Sequence, residues 1–303
     1  KSTEQIIAEL DSLYRLGWRH GVFFVDDNFI GNKARLKRSL LPALIAWRQD
    51  KRGMGFQTEV SVNLADDPEL LQMMVQAGFD TVFVGIETPD EASLAECNKV
   101  QNQGRDLVSA VKTMQRAGLQ VQGGFIVGFD HDTPSIFQRQ IDFIQRSGIV
   151  TAMVGLLQAP YGTRLYERLR KEDRLLAKFS GNNTDDTMNF APKMDPELLH
   201  EGYRRILTTI YSPRYYYHRV RAFLREYKKA PVVRSPLGWS YIAAFFRSIV
   251  RLGVRGKERV EYWKLVLWTL LRRPRLFPEA ITFAIYGFHF RRVCELYVNS
   301  PEE

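Results

Sequence analysis

The chain is poor in sulfur and in long apolar runs, and both shortages narrow what it can be. Its 303 residues hold two cysteines, Cys97 and Cys294, with no second thiol near either. Neither a disulfide framework nor a CxxC redox or zinc site can be built from them. No run of about 18 apolar residues occurs, and the opening KSTEQIIAEL has no apolar leader core. A reducing, cytoplasmic setting is therefore expected, without a membrane span. Disorder is excluded too, since 45% of the residues are hydrophobic and 25% charged, ordinary globular proportions. Excess negative charge is missing from the C-terminal third. Residues 201–303 carry 20 Lys and Arg against 8 Asp and Glu, a net +12, whereas the first 200 residues are net −3. Two segments with different surroundings are expected, the second suited to an anionic partner.

What is present is a repeated cassette. Four times a helical pattern runs into glycine and then a strand: LGWRHGVFFVDD from Leu16, AGFDTVFVGIET from Ala77, AGLQVQGGFIVGFD from Ala117 and SGIVTAMVGLLQA from Ser147. Glycine ends a helix because it accepts the left-handed conformation. A further strand, FQTEVSVN, fits between the first and second cassettes, and Asp66-Asp67-Pro68 opens the helix after it. Alternating helices and short apolar strands predict a parallel sheet, doubly wound or closed as a barrel, with strands near 22–27, 56–62, 81–87, 121–128 and 152–158. Ser2 and Gln5 form a capping-box pattern, so the chain opens in a helix. A repeat of this kind begins with β, which leads us to expect at least one strand upstream.

Polar residues gather where the strands end. Asp26, Asp27 and Asn28 follow the first strand, Glu59 lies in the second, Glu87 ends the third, Asp130 follows the fourth and Gln158 ends the fifth. Any one acid is explained equally well as a helix N-cap. A whole ring of acceptors instead matches the mouth of a barrel, where successive strands aim their last side chains at one cavity.

With these segments in view, VDDNF, TEVS, VGIETP and GGFIVGFD together resemble the radical S-adenosylmethionine (radical SAM) superfamily. The resemblance is to its cobalamin-binding-domain type, in a branch with a helical C-terminal extension that includes hopanoid-modifying enzymes. It covers roughly residues 1–230. It implies an α/β fold, a partial (β/α)6 barrel here missing its first strand, over residues 1–190, and a small all-α domain over 191–303. It also implies S-adenosylmethionine as ligand and, in the full-length parent only, a [4Fe–4S] cluster on a CxxxCxxC loop, with cobalamin as a further cofactor of that parent. This chain has no such loop, so no metal ligand and no catalytic residue is assigned, and the chain alone is expected to be inactive.

By the same resemblance Asp26, Asp27 and Asn28 lie near the methionine ammonium, and Glu59 and Glu87 supply further polar contacts. Gly123, Gly124, Ile126 and Gly128 bring backbone beside adenine, and Gln158 with the Pro160 to Thr163 turn closes the pocket. Asp130 stands where many members have a glutamate-bearing motif, and here the chain departs from the pattern with Asp130-His131-Asp132. The implied chemistry is radical hydrogen abstraction or methyl transfer on a small-molecule or lipid-like substrate. Two other functions fit the ring of acids alone: a barrel hydrolase or lyase, and a non-catalytic binding module.

Beyond a polar stretch ending at Pro192, helical patterns follow at about 195–211, 214–229, 237–252, 257–272 and 277–297. The segment RYYYHRVRAFLREYKK interleaves aromatics with cations. Aromatics turned inward explain it better than nucleic-acid binding, so no nucleic-acid partner is expected. The apolar runs IAAFF, KLVLWTLL and AITFAIYGFHF beside Arg and Trp are compatible with peripheral contact at the inner membrane face.

Overall fold

The computed structural model describes residues 1–176, 187–229 and 239–298. Five parallel strands, β1 (Val22–Phe24), β2 (Phe56–Val60), β3 (Phe79–Glu87), β4 (Gln120–Val127) and β5 (Ala152–Leu156), lie side by side in chain order. Between and after them come α1 (Thr3–Arg15), α2 (Lys33–Arg35), α3 (Leu41–Arg48), α4 (Pro68–Ala77), α5 (Glu91–Glu96), α6 (Leu107–Ala117), α7 (Ile136–Ser147) and α8 (Arg164–Lys171). A C-terminal set follows: α9 (Pro196–Ile210), α10 (Pro213–Glu226), α11 (Trp239–Ser248), α12 (Arg259–Arg272) and α13 (Phe277–Val298). The expected architecture is therefore present, with β1 ending at Phe24 rather than 27. The polar stretch before Pro192 lies partly outside the described residues, and the break before α11 lies wholly outside them.

Local chemistry sets the element boundaries. The capping box forms as read: Gln5 N–H donates to Ser2 Oγ, and Ser2 N–H donates to Gln5 Oε1 at 2.8 Å. Asp67, Asp90 and Asp106 each accept a backbone N–H in the first turn of α4, α5 and α6. At the other end of α4, Gly78 has φ of +100°, and a Cβ there would come within 2.2 Å of the Arg48 guanidinium. Arg48 is buried in that space and donates to the carbonyls of Ala77, Gly53 and Met54. Glycine at 78 is thus required twice, by backbone conformation and by its neighbour.

Strand residues alternate between two unlike faces. Phe56, Thr58, Val60, Val82, Val84, Val121, Phe125, Val127 and Val154 are buried beneath the helices. The other face carries Phe23, Gln57, Glu59, Phe83, Gln122, Gly124, Ile126 and Met153 and is only half-buried or exposed. The register sets Glu59 beside Phe83, Phe83 beside Gln122 and Gly85 beside Gly124. The open face is the inner side of an incomplete barrel, and its mouth is at the C-terminal strand ends.

The apolar core is continuous from the sheet through α4, α6 and α7 into α9, α10, α12 and α13. Tyr216, Tyr217, Val220, Phe223 and Leu224 of α10 point inward, as the aromatic pattern predicts. Arg219 departs from the expected solvated face. It is fully buried, and its guanidinium donates to Ile210 O, Val150 O and Gln145 Oε1. Among the described residues no strand pairs with the outer edge of β1, and a cavity of about 570 Å³ there is lined by Ile6, Leu10 and Leu13 of α1 with Val22, Phe24 and Val25.

Candidate functional site

The mouth of the sheet is organised around Glu87. Between Gly85 and Glu87 the pairing with β4 slips, and Glu87 takes φ of +65°. For a residue with a side chain this conformation costs about 1 to 3 kcal/mol. The surroundings hold it: Asn102, buried, donates to the Gly85 and Ile86 carbonyls at 3.1 and 2.9 Å, and Gln140 donates to Ile126 O at 2.7 Å. The bulge turns the Glu87 carboxylate back over the open face, where Oε1 meets Lys99 Nζ at 2.8 Å. Both groups occupy the place of a missing side chain, for a Cβ on Gly85 would lie 2.6 Å from Glu87 Oε1 and 2.9 Å from Lys99 Nζ.

Two more acids reach the same region. Partial burial pushes the Glu59 carboxyl up, the charge of Asp27 adds to the rise, and Lys99 opposes it. Asp27, Glu59, Lys99 and Glu87 therefore form one electrostatic group across the ends of β1, β2 and β3. Gly124, next to Gly85, extends this region into β4, its empty Cβ position filled by the Phe83 ring at 2.9 Å.

The remaining predicted site residues are placed otherwise. Asn28 Oδ1 accepts from Ser61 N–H and Oγ–H, stitching the end of β1 to that of β2. Asp26 lines the outer groove between α1 and β1. Ile126 shares the open face with Gly124, but Gly123 points to the helices, where a Cβ would press on Phe125 and Ile149 at 2.8 and 3.0 Å. Its lack of a side chain serves packing, because adjacent strand residues face opposite ways. Gly128, at φ of +104°, donates its N–H to Asp132 Oδ2. The Gln158 amide donates to Thr187 O.

Asp130 is buried in a cluster of cations. Arg174 reaches it with two nitrogens at 2.7 and 2.9 Å, Arg168 lies at 3.0 Å and Lys193 at 3.6 Å. Burial alone would raise its carboxyl, yet the hydrogen bond and charge of Arg174, with Arg168, hold it below the usual aspartate range. Arg168 also pairs with Glu96, which pairs with His131. Neither Asp27 nor Asp130 caps a helix. Asp132 ties down the turn after β4, accepting from Gly128 and Phe129 N–H and from Ser93 Oγ–H, and no side chain caps α7.

Sequence reasoning missed Lys99, Asn102 and Asp132. The available signal was a lone cation within SLAECNKVQN, the segment that follows the strand ending in Glu87.

The donor set can be matched to each implied group. An ammonium, a carboxylate and a ribose diol need acceptors beside a cation, which Asp27, Glu59, Glu87 and Lys99 provide. An iron–sulfur cluster needs three thiolates. Cys97 Sγ–H donates to Leu94 O with its thiol raised by burial and by Glu87, and burial pushes the Cys294 thiol up to about 11. Among the described residues no three His, Cys, Asp or Glu are grouped to hold a metal ion. The residues present thus fit S-adenosylmethionine and do not fit the cluster.

An open parallel barrel with acceptors at its strand ends defines an α/β protein of the barrel class. Residues 1–144 match the sequence profile of the radical SAM superfamily, and residues 163–303 match a domain of unknown function, DUF4070. The chain is 38% identical over 302 residues to an uncharacterized methyltransferase of Synechocystis sp., covering 98% of this chain and 56% of the relative. It is 34% identical over 281 residues to the hopanoid C-2 methylase of Rhodopseudomonas palustris, covering 90% of this chain and 52% of that protein. The fold resembles that of OxsB, a cobalamin-dependent S-adenosylmethionine radical enzyme, with a TM-score of 0.50 and 16% identity over 98% of this chain and 50% of the other. Residues 1–144 of the chain belong to the radical SAM superfamily. It spans about half the length of the relatives it matches.

Proposed function

We propose that this chain forms the S-adenosylmethionine pocket of a radical SAM methyltransferase. The observation that carries the reading is the Glu87–Lys99 ion pair, set over Gly85 and beside Glu59 and Asp27. Adjacent opposite charges complement an amino-acid zwitterion: the acids accept from its ammonium, and Lys99 donates to its carboxylate. Glu59, with its raised carboxyl, suits a contact that also donates to or accepts from a ribose hydroxyl. Gly85 and Gly124, side by side on the open face, make room for the Glu87–Lys99 pair and the Phe83 ring, which would border the ligand. When bound, S-adenosylmethionine supplies the methyl or adenosyl group, and the protein's part is to orient it and exclude water.

The names of the relatives favour methyl transfer over other radical chemistry, and the hopanoid C-2 methylase favours a lipid-like acceptor. We propose that the parent protein supplies the cluster thiolates and cobalamin from residues other than those described. Calorimetric titration of S-adenosylmethionine into the parent tests the pocket. Asp27→Ala, Glu87→Ala and Lys99→Ala should each weaken affinity by about tenfold or more, as expected for the loss of a charged hydrogen bond. Unchanged affinity in all three would reject the assignment.

A further inference from the structure

The C-terminal helices border a second cavity, open to solvent and of about 800 Å³. Its walls carry Arg247, Arg251, Arg255, Lys257, Arg291 and Arg292. Arg291 is neutralised by Glu258 at 2.9 Å and Glu295 at 2.7 Å, and Arg292 lies 3.2 Å from the same Glu295. Among the described residues Arg247, Arg251, Arg255 and Lys257 have no ion-pair partner, so six cations face two carboxylates.

Local structure converges these charges on one cavity. After α11 the chain continues as a π-helical turn, Ile249–Val254, and then reverses at Gly256. A Cβ on Gly256 would sit 2.9 Å from the carbonyls of Arg251 and Leu252, so the reversal presses directly on the turn before it. Arg255 and Lys257 are thereby brought back towards Arg247 and Arg251, which stand one helical turn apart, while α13 supplies Arg291 and Arg292. The Arg251 guanidinium is held 4.7 Å over the Phe288 ring, which limits its freedom before any ligand arrives.

An ordinary solvated basic face would spread its cations, and would not border exposed apolar side chains. Here Trp239, Ile242, Phe246 and Val250 follow one another at helical spacing, all exposed, Trp239 by 85% and Phe246 by 61%. Phe246 and Val250 are also part of the cavity wall. On α12, Val260, Trp263, Leu267 and Leu271 are exposed as well. Apolar stripes adjoining a basic cavity complement a phosphate headgroup with an acyl layer beside it. Nucleic acid fits less well, because beside the rings of Trp239, Phe246 and Trp263 the stripes are aliphatic, with Ile242, Val250, Val260, Leu267 and Leu271 offering nothing for a base to stack on. No helix among the described residues is long and apolar enough to cross a membrane, so such contact would be lateral.

We propose that this cavity binds the phosphate of anionic phospholipids and seats the C-terminal helices on a membrane surface. The proposal is independent of the S-adenosylmethionine pocket. The test is co-sedimentation of the chain and its full-length parent with phosphatidylcholine vesicles, with and without phosphatidylglycerol. Binding should require phosphatidylglycerol, weaken with salt, and fall about tenfold or more in Arg251→Gln/Arg255→Gln. Trp239→Ala/Phe246→Ala should also lose binding, with circular dichroism and S-adenosylmethionine affinity unchanged in both variants. Equal sedimentation of wild type and both variants would overturn the proposal. So would binding of inorganic phosphate or an RNA oligonucleotide at this cavity without vesicle binding.

Discussion

Glu87 and Lys99 meet at 2.8 Å over Gly85, where β3 is bulged and Glu87 is left-handed. The bulge, the missing Cβ and the ion pair are parts of one arrangement. Gly85→Ala would insert a methyl group 2.6 Å from the carboxylate and displace the pair. S-adenosylmethionine affinity of the parent should fall by about tenfold, with no more than about 1 to 2 kcal/mol lost from denaturant-measured stability. Full affinity in this variant would separate the pair from the ligand.

Glu59 should respond to its neighbours. Its carboxyl is raised by burial and then by Asp27, so the folded state holds a proton more readily than the unfolded chain. This group's contribution therefore turns unfavourable as pH rises from the ordinary glutamate range through the folded value. Asp27→Asn should lower the Glu59 titration midpoint, read by carboxyl carbon NMR, and flatten that part of the stability profile. A midpoint that does not move would mean the two acids are not coupled.

Asp130 should matter for stability rather than for ligand. Its side chain is 2% exposed and surrounded by Arg174, Arg168 and Lys193. Asp130→Ala would remove the carboxylate these cations share, leaving Arg168 with Glu96 and Arg174 with Glu172, and cost about 1 to 3 kcal/mol by urea unfolding. Because the folded carboxyl is held below 3.8, its stabilisation is complete above that pH and lost as pH falls through the folded value. The variant, once folded, should bind S-adenosylmethionine as the wild type does.

The outer edge of β1 should cause self-association when this chain is produced by itself. Val25 is 85% and Phe23 48% exposed beside that edge, which no strand among the described residues pairs and which offers backbone groups to another chain. Light scattering with size-exclusion chromatography should show concentration-dependent association, reduced in Val25→Lys. A strictly monomeric chain at high concentration would contradict this.

Anaerobic reconstitution of the same chain should yield no stoichiometric iron–sulfur cluster and no 5′-deoxyadenosine, given only Cys97 and Cys294 as thiols. Iron and sulfide analysis with chromatography measures both. About four irons per chain with S-adenosylmethionine cleavage would show that ligands other than cysteine hold the cluster.

The order of helices and strands was legible in the sequence because it rests on local chemistry. Ser2 with Gln5, Asp67 before Pro68, and the glycines at 78, 118 and 148 act within a turn of where they stand. The family and the acids Asp27, Glu59 and Glu87 were legible for a related reason: parallel strands put their last residues at one end, whatever the details of packing. The roles of individual polar residues were not. Asp130 and Asp132 look alike in sequence, yet one is buried among arginines from α8 and beyond while the other ties down the turn after β4. Gly123 and Gly124 are neighbours that strand alternation sends to opposite faces. Lys99 acquires meaning only when the β3 bulge turns Glu87 towards it, and Arg251, Arg255 and Arg291 only when a π-helical turn and a distant helix border the same space. Charge acts through space rather than along the chain, so which cations and acids meet was decided by tertiary structure.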